Sequence, residues 1–541
     1  MGKAEAGRAV KLTFKLRRAI LESNIFGVDI DDQAAEVTRF SLSMKQLEDA
    51  TQADVIEERN LFRQRILPDL SRNILVGNSL IGSDFPGSVD ERLTASAFDW
   101  KSSFLFLSEH GGFDAVIGNP PYDVLEKDRS AASWPHDLLL KYVSEIETPL
   151  RIASTGKKNL YRYFIVQSIL LLRDGGSFGM IVPMSLLGDS STASTRRFVA
   201  EHLDGLHLFC FPQKDNSSRR VFRDAKLSTV VVTGRCSITK IENAQIDLTT
   251  FPWDTFDDAP LRSASISYSE VSDVDPETFP IPLVDNDIWA LCLKIHRGRS
   301  VKRLKDISTF QLRRGEVNQT TYRQYISTNP KHTPLLRGSE VAPFHIQPPS
   351  QGEQVWLDEN RCLAVLQRAA EEWRSRSSKP RIATQRITGV DDSRRVIAAL
   401  VQRPPYYLAD STNSVQAENE DDLYFLLALL NSELWQWRFR LTSTNNNVQT
   451  GELESMPVPT FVRASPPLLE TKEKVIVIAR NIVDHLVRRA TARGHEAEFH
   501  EREAHRLESE LNSLVYKLYG LSASDRALIA RTSRVSGAAD D

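Results

Sequence analysis

The sequence predicts an α/β fold for residues 1–235, a second, mixed α/β domain over 301–460 and a helical segment over 461–541. Three observations carry that expectation. Short apolar runs alternate with amphipathic segments through the first 235 residues; the chain then turns acidic and proline-dotted; and beyond Pro467 two long stretches keep helical periodicity. At 541 residues the chain is also too long for one ordinary core.

Taken in order, strands are expected at 24–30, 74–77, 113–118, 179–182, 206–211 and 229–233, with helices at 33–48, 161–172 and 194–202. Residues 236–300, with Phe251-Pro252-Trp253, Asp275-Pro276 and Phe279-Pro280-Ile281-Pro282, read as a connector. The stretch 301–460 mixes strand-like runs with polar turns and many arginines. Helices over 468–493 and 495–519 end at Gly520, a helix stop.

Hydrophobic residues make up 41% and charged residues 26%, the balance of a soluble globular protein. The longest apolar stretch, Leu423 to Leu430, is too short to span a bilayer, and Met1-Gly2-Lys3-Ala4-Glu5 lacks the apolar core of a signal peptide. Cys210, Cys236, Cys292 and Cys362 lie too far apart for a zinc motif, so a cytoplasmic protein with reduced thiols and no metal centre is expected. A net charge of −3 argues against a binder that relies on bulk positive charge, but it leaves room for a local basic cleft.

The chemistry is expected where Phe113-Asp114-Ala115-Val116-Ile117-Gly118 delivers Asn119-Pro120-Pro121-Tyr122. In an open parallel sheet, ligands bind beyond the carboxyl ends of the strands. An adenine amino group is a poor nucleophile because its lone pair is delocalised into the ring. A site that alkylates it needs acceptors for both N–H groups, and the Asn119 side-chain oxygen and the Pro120 carbonyl are two such acceptors. Pro120 and Pro121 stiffen the loop, and Tyr122 offers a flat ring on which a flipped base can stack. A proline-rich turn with an incidental aromatic is the bland alternative, and the preceding apolar strand argues against it.

Two upstream strand ends join this set. Ile25-Phe26-Gly27-Val28-Asp29-Ile30-Asp31 ends in a carboxylate where a ribose would be held through its hydroxyls. Asp29 is assigned that role and Ile30 the packing on an adenine face, while Asp31 and Asp32 suit the cap of the following helix. Ile74-Leu75-Val76-Gly77 ends in the small polar pair Asn78-Ser79, where Asn78 can hydrogen-bond a cofactor's adenine.

The series Gly-Val-Asp-Ile-Asp, Gly-Asn-Ser-Leu-Ile-Gly, Ile-Gly-Asn-Pro-Pro-Tyr, Asn159-Leu160-Tyr161, Gly175-Gly176 and Ile181-Val182-Pro183 resembles the gamma-class adenine-specific DNA methyltransferases. More closely, it resembles the methylase/specificity polypeptides of type IIG restriction-modification systems. Pro334-Leu335-Leu336-Arg337-Gly338, Leu429-Leu430-Asn431-Ser432, Met456-Pro457-Val458-Pro459 and Leu518-Tyr519-Gly520-Leu521 extend the likeness over nearly the whole chain. The resemblance implies S-adenosylmethionine as methyl donor, double-stranded DNA as substrate, a Rossmann-like catalytic domain over 1–235 and a target-recognition domain over 301–460. It then makes Asn119, Pro120, Pro121 and Tyr122 catalytic, and Asp29, Ile30, Asn78 and Ser79 cofactor-binding.

Two features depart from that pattern. The family's Gly-rich Phe-x-Gly-x-Gly loop, which holds the methionine end of the cofactor, is expected before Asn24 and is absent; Gly2 and Gly7 do not form one. The methyltransferase domain is therefore expected to be incomplete at its N-terminus, to bind the cofactor poorly alone, and to be completed by an upstream polypeptide that adds strand, loop and helix. Second, no aromatic falls between Pro183 and Phe198, where the family often places one; Thr192 lies there. No fused nuclease is evident: Glu470-Thr471-Lys472 reads as a solvated helix face, which leaves room for a separate nuclease.

For the DNA-reading half, Leu312-Arg313-Arg314-Gly315-Glu316-Val317-Asn318-Gln319-Thr320 has residue types that contact phosphates and base edges. Lys379-Pro380-Arg381, Arg386, Arg394-Arg395 and the polar run Asn445-Asn446-Asn447 near Gln449 add candidates. Two other readings stand beside this one: a non-catalytic DNA-recognition subunit that needs a partner for methylation, and an RNA or protein-glutamine methyltransferase.

Overall fold

Short polar signals start the helices of the first half. Thr13 caps α1 (Phe14–Asn24), its hydroxyl accepting from Leu16 N at 3.3 Å. Asp31 caps α2 (Asp32–Leu47) by accepting from the backbone of Gln33 at 2.8 Å and Ala34 at 3.4 Å. The computed structural model describes residues 12–48, 67–125, 134–214, 216–349, 352–388, 394–401, 406–443, 447–462 and 464–533. The chain divides into two units, Met1–Met180 with Arg235–Thr239, and Ile181–Gly234 with Lys240–Asp541.

In the first unit β1 (Gly27–Asp29) runs parallel to β2 (Ile74–Val76), with Gly27 opposite Ile74 and Asp29 opposite Val76. Asn73 secures their start, its side-chain amide donating to the carbonyls of Leu21, Glu22 and Ile25 at 2.9–3.3 Å. The run 113–118 forms β3 (Phe113–Gly118), followed by α3 (Leu160–Leu170) and β4 (Leu172–Pro183). Strands β3 and β4 pair in parallel, Ala115 opposite Ser177 and Gly118 opposite Met180. The register shifts between Phe113 and Ala115, where Gly175 takes φ +70° and a Cβ on Gly176 would meet the Phe113 and Arg173 carbonyl oxygens at 2.9 and 3.0 Å. Beneath the strands Phe98, Phe104 and Leu107 form a buried aromatic core, with Phe26, Trp100, Phe106 and Phe113 packed on it. Helix α3 is buried on nearly all sides, which suits its apolar sequence.

One expectation changes here. The apolar run of β3 reads as a buried strand, yet Ala115, Ile117 and Gly118 are exposed, Ile117 by 85%. Strand β3 has β4 on one side and no strand on the other among the described residues, just as β1 has only β2. Each unpaired edge leaves backbone donors and acceptors and apolar side chains uncovered.

The second unit begins with α4 (Ala193–His202) and β5 (Leu203–Phe211), β6 (Thr229–Cys236), β7 (Gln245–Thr250) and β8 (Arg262–Ser267), in the sheet order β6-β5-β7-β8. Strands β5 and β7 are parallel, β7 and β8 antiparallel. Residues 236–300, read as a connector, thus carry two sheet strands and the helix α5 (Asn286–His296); Ile246, Leu248 and Ile266 are buried at alternate positions. Further on, β9 (Phe310–Arg314), β10 (Arg381–Gln385), β11 (Ala398–Val401) and β12 (Thr412–Ala417) make an antiparallel sheet ordered β9-β12-β10-β11. The apolar stretch 423–430 lies buried in α6 (Glu420–Asn431), whose first turn is exposed, and no helix among the described residues is long and apolar enough to cross a membrane. Near the end α7 (Pro466–Thr491) and α8 (His495–Leu518) pack as a hairpin, and Gly520 follows with φ +64°.

Several charges offered as DNA contacts are paired within this unit, Arg381 and Arg395 buried and Arg313 and Arg314 at the surface. Arg381 and Glu316 are both fully buried and joined at 2.6 Å, Arg376 adds a second contact to Glu316 at 3.2 Å, and Leu408 N donates to the same carboxylate at 3.1 Å. Arg395 is buried, donating to the Thr388 carbonyl at 2.9 Å and Ser443 Oγ at 3.1 Å. Arg313 pairs with Glu372, Arg314 with Asp410 at 3.0 Å, and Arg394 with Glu508 at 2.5 Å. Arg386 and Gln319 also bond Asp410, and Asn318 caps Thr320 and Thr321. Asn445 and Asn446 lie outside the described residues.

Breaking the buried pair tests its structural role. Glu316→Ala leaves the Arg381 guanidinium buried without its counter-charge, which costs about 3–5 kcal/mol. The urea transition of this unit should move to clearly lower concentration; a shift worth less than about 1 kcal/mol would show that the pair does not hold the sheet.

Candidate active site

The carboxyl ends of β1, β2 and β3 meet around a cavity of about 660 Å³ within the first unit. Asp29 and Ile30 reach it from β1, Asn78 and Ser79 from β2, and Asn119, Pro120 and Pro121 from β3. Parallel strands bring their ends together in this way because their loops leave from one edge of the sheet. Phe26, Trp100 and Leu160 supply apolar walls.

Asp29 is exposed, and its carboxylate accepts one backbone hydrogen bond, from Asp31 N at 2.9 Å. Its second oxygen has no partner among the described residues, while Gly77 N holds its carbonyl at 2.8 Å. Asn78 is buried. Its oxygen accepts from Leu80 N at 3.1 Å and its backbone N–H donates to Ser96 at 2.7 Å, leaving the side-chain NH₂ without a partner among the described residues. The Ser79 carbonyl accepts from the Trp100 indole at 3.1 Å, which fixes the aromatic wall.

In the Asn-Pro-Pro-Tyr loop the Tyr122 hydroxyl donates to Asn119 Oδ1 at 2.9 Å. Burial pushes the Tyr122 phenol up to about 12, so it keeps its proton at neutral pH and remains a donor. Its ring meets Tyr161 edge-on at 6.4 Å between centroids. Pro120 is buried, and its carbonyl oxygen accepts no hydrogen bond among the described residues. The loop is anchored beyond Tyr122: Leu160 N donates to Asp123 and Leu125 N to Lys158, both at 2.8 Å.

Seven of the eight sequence-assigned residues therefore line one cavity, and Tyr122 is tied to it through Asn119. The sequence reading missed the opposite wall, Phe164, Gln167 and Ser168. They lie three and four residues apart on α3, the spacing of one helix face, and that was the available signal. Thr192, expected near the family's aromatic position, is buried, with its hydroxyl donating to Asp189 O at 2.7 Å.

A match to the Eco57I restriction-modification methylase family covers residues 23–214, which contain β1 to β5 and the whole cavity. The chain is 29% identical over 224 residues to the type II restriction enzyme and methyltransferase RM.Eco57I of Escherichia coli, covering 41% of this chain and 20% of that protein. It is 32% identical over 99 residues to the type II methyltransferase M.TthHB8I of Thermus thermophilus, 18% of this chain and 22% of the relative. The matches thus span about a fifth of each relative's length. The fold is similar, at a TM-score of 0.50 and 12% identity, to that of the type IIL restriction-modification enzyme MmeI solved with DNA, over 95% of this chain and 66% of that one.

Gly77 tests the packing of the aromatic core beneath the strand ends. A Cβ there would lie 2.7 Å from Phe98 Cδ2 and 3.0 Å from Phe98 Cβ, so Gly77→Ala must displace a core ring. Destabilisation of about 1–3 kcal/mol is expected from such overpacking. Thermal unfolding reads it, and an unchanged transition would mean that the aromatic core is looser than its packing indicates.

Proposed function

We propose that this chain carries the catalytic loop of an S-adenosylmethionine-dependent, adenine-specific DNA methyltransferase from a restriction-modification or phage-defence system. The observation that carries the reading is the pair of acceptors at the end of β3, Asn119 Oδ1 and the Pro120 carbonyl, beside a cavity that Asp29 and Asn78 also line. Two acceptors on one exocyclic amine draw its N–H hydrogens into the plane of the site and free its lone pair for attack. The Tyr122 ring provides the face on which an extruded base stacks.

The cavity suits the adenosine end of the donor. Asp29 offers an oxygen for ribose hydroxyls, Asn78 an unused NH₂ for an adenine ring nitrogen, and Ile30, Phe26 and Trp100 apolar surface. When bound, S-adenosylmethionine supplies an electrophilic methyl group. Among the described residues the lining includes no Lys, Arg or His to receive the donor's carboxylate. Together with the unpaired edges of β1 and β3, both of which border this cavity, that observation favours a second reading: a subunit that methylates only with a partner polypeptide adding strand and loop between them. Residues 301–460 are proposed to read the DNA sequence, through residues other than the internally paired Arg381 and Arg395.

Methyl transfer from labelled S-adenosylmethionine to duplex DNA tests the catalytic loop. Asn119→Ala should lower transfer by at least about 100-fold, the scale of losing one preorganised polar contact. Tyr122→Ala should lose about 1–3 kcal/mol of base stacking, whereas Tyr122→Phe keeps the ring and should retain most activity. Near-normal turnover in Asn119→Ala would end the assignment, and equal losses in the two Tyr122 variants would move the role from ring to hydroxyl.

Calorimetry separates the two readings. The chain alone should bind S-adenosylmethionine weakly, and adding the product encoded immediately upstream should tighten binding and restore turnover. Micromolar affinity and full turnover by the isolated chain would remove the need for a partner.

A further inference from the structure

Carboxylates neutralise many arginines of the second unit: Arg297 pairs with Asp273, Arg303 with Asp306, Arg480 with Asp421 and Arg506 with Glu503. The loop between β5 and β6 breaks that pattern. Residues 212–228 hold Lys214, Arg219, Arg220, Arg223 and Lys226 against only Asp215 and Asp224, in a chain of net charge −3. Among the described residues Lys214, Arg219 and Arg223 form no ion pair and donate no side-chain hydrogen bond.

The loop is nevertheless built. Ser228 Oγ donates to the Pro212 carbonyl at 2.7 Å and closes its base. Asn216 Oδ1 accepts from Ser218 N at 3.0 Å and Ser218 Oγ at 2.7 Å, which sets the turn that carries Arg219. The Arg219 guanidinium lies over the Trp253 ring, 3.5 Å from its centroid. Stacking holds one face of the guanidinium and leaves its in-plane N–H groups unbonded, the edge that matches two phosphate oxygens.

We propose that the 212–228 loop grips the sugar-phosphate backbone of duplex DNA. The proposal rests on the DNA-methyltransferase reading and adds a contact surface outside residues 301–460. Duplex DNA presents a regular row of phosphates to which a short run of arginines and lysines can bind without reading sequence. Lys214 and Arg223 then serve as charges toward successive phosphates, and Arg219 as the oriented fork. Among the described residues Asp254, Asp257 and Asp258, which follow Trp253, form no ion pair with Lys214, Arg219 or Arg223.

The test is the salt dependence of binding to a fluorescent duplex of arbitrary sequence, read by anisotropy. Each phosphate contacted steepens the slope of log affinity against log salt by about 0.9. Lys214→Gln/Arg219→Gln/Arg223→Gln should make the slope shallower by about 2–3, equally on any sequence. Arg223→Gln alone, which removes no contact within the fold, should make it shallower by about 1. A control with the same change in charge in the C-terminal segment, Arg493→Gln/Arg502→Gln/Arg531→Gln, should leave it unchanged. An unaltered slope in the loop variants, or equal loss in the control, overturns the proposal while leaving the methyltransferase reading in place. Failure of the wild-type chain to bind any duplex overturns both.

Discussion

The register of β3 on β4 is the constraint on which the site depends. Strand side chains alternate between faces, so a slip of one residue would turn Val116 and Gly118 over and aim the following loop elsewhere. The register is set at the strand starts. Phe113 pairs with Leu172 and Ala115 with Ser177, so β4 spends residues 173–176 on a bulge. Gly175 and Gly176 make that bulge sterically possible, and Arg173 bonds Asp114 across it at 2.7 Å. Asn119 then emerges one residue past the Gly118–Met180 pair, at the mouth of the cavity.

Much of this was legible from residue order. Each strand-end candidate follows an apolar run, and Asp29, Asn78 and Asn119 all fall within two residues of the ends of their strands. That regularity reflects the geometry of a parallel sheet more than any one motif. The exposure of β3 was not legible, because burial of a strand depends on the neighbour across its edge. The fates of the arginines were hidden for a related reason. Arg381 and Arg395 read as surface charge until their partners are known, and Glu316 lies 65 residues from Arg381 in the chain. The strands within 236–300 were obscured by the prolines that surround them; their alternation at Ile246 and Leu248 spans only six residues.

Two populations of arginine follow from this. Several inside the 301–460 region, Arg376, Arg381 and Arg395 among them, are committed to carboxylates or carbonyls, where a planar, always-charged group with five donors can satisfy several acceptors at once. Arg381 and Arg395, both buried, brace the strands and do not reach solvent. Arginine density in the sequence therefore says more about how that region is braced than about what it binds. The cavity of the first unit shows the complementary arrangement, with polar atoms held by one hydrogen bond each and a second valence left unused at Asp29 and Asn78.

The Tyr122–Asn119 hydrogen bond has a thermodynamic consequence for the proposed reaction. An acceptor that already holds a neutral donor is not desolvated and waiting, so a base amine entering the site exchanges one hydrogen bond for another of similar strength. Ground-state binding then gains little from Asn119, and shape and stacking decide which base is admitted. What changes along the reaction is the amine. As its lone pair leaves the ring and positive charge grows on nitrogen, its N–H groups become stronger donors than a phenol, and the same oxygen holds them more tightly than it held the tyrosine. An interaction that is thermoneutral on arrival and favourable only as charge develops belongs to the transition state, which is where an enzyme gains rate from it.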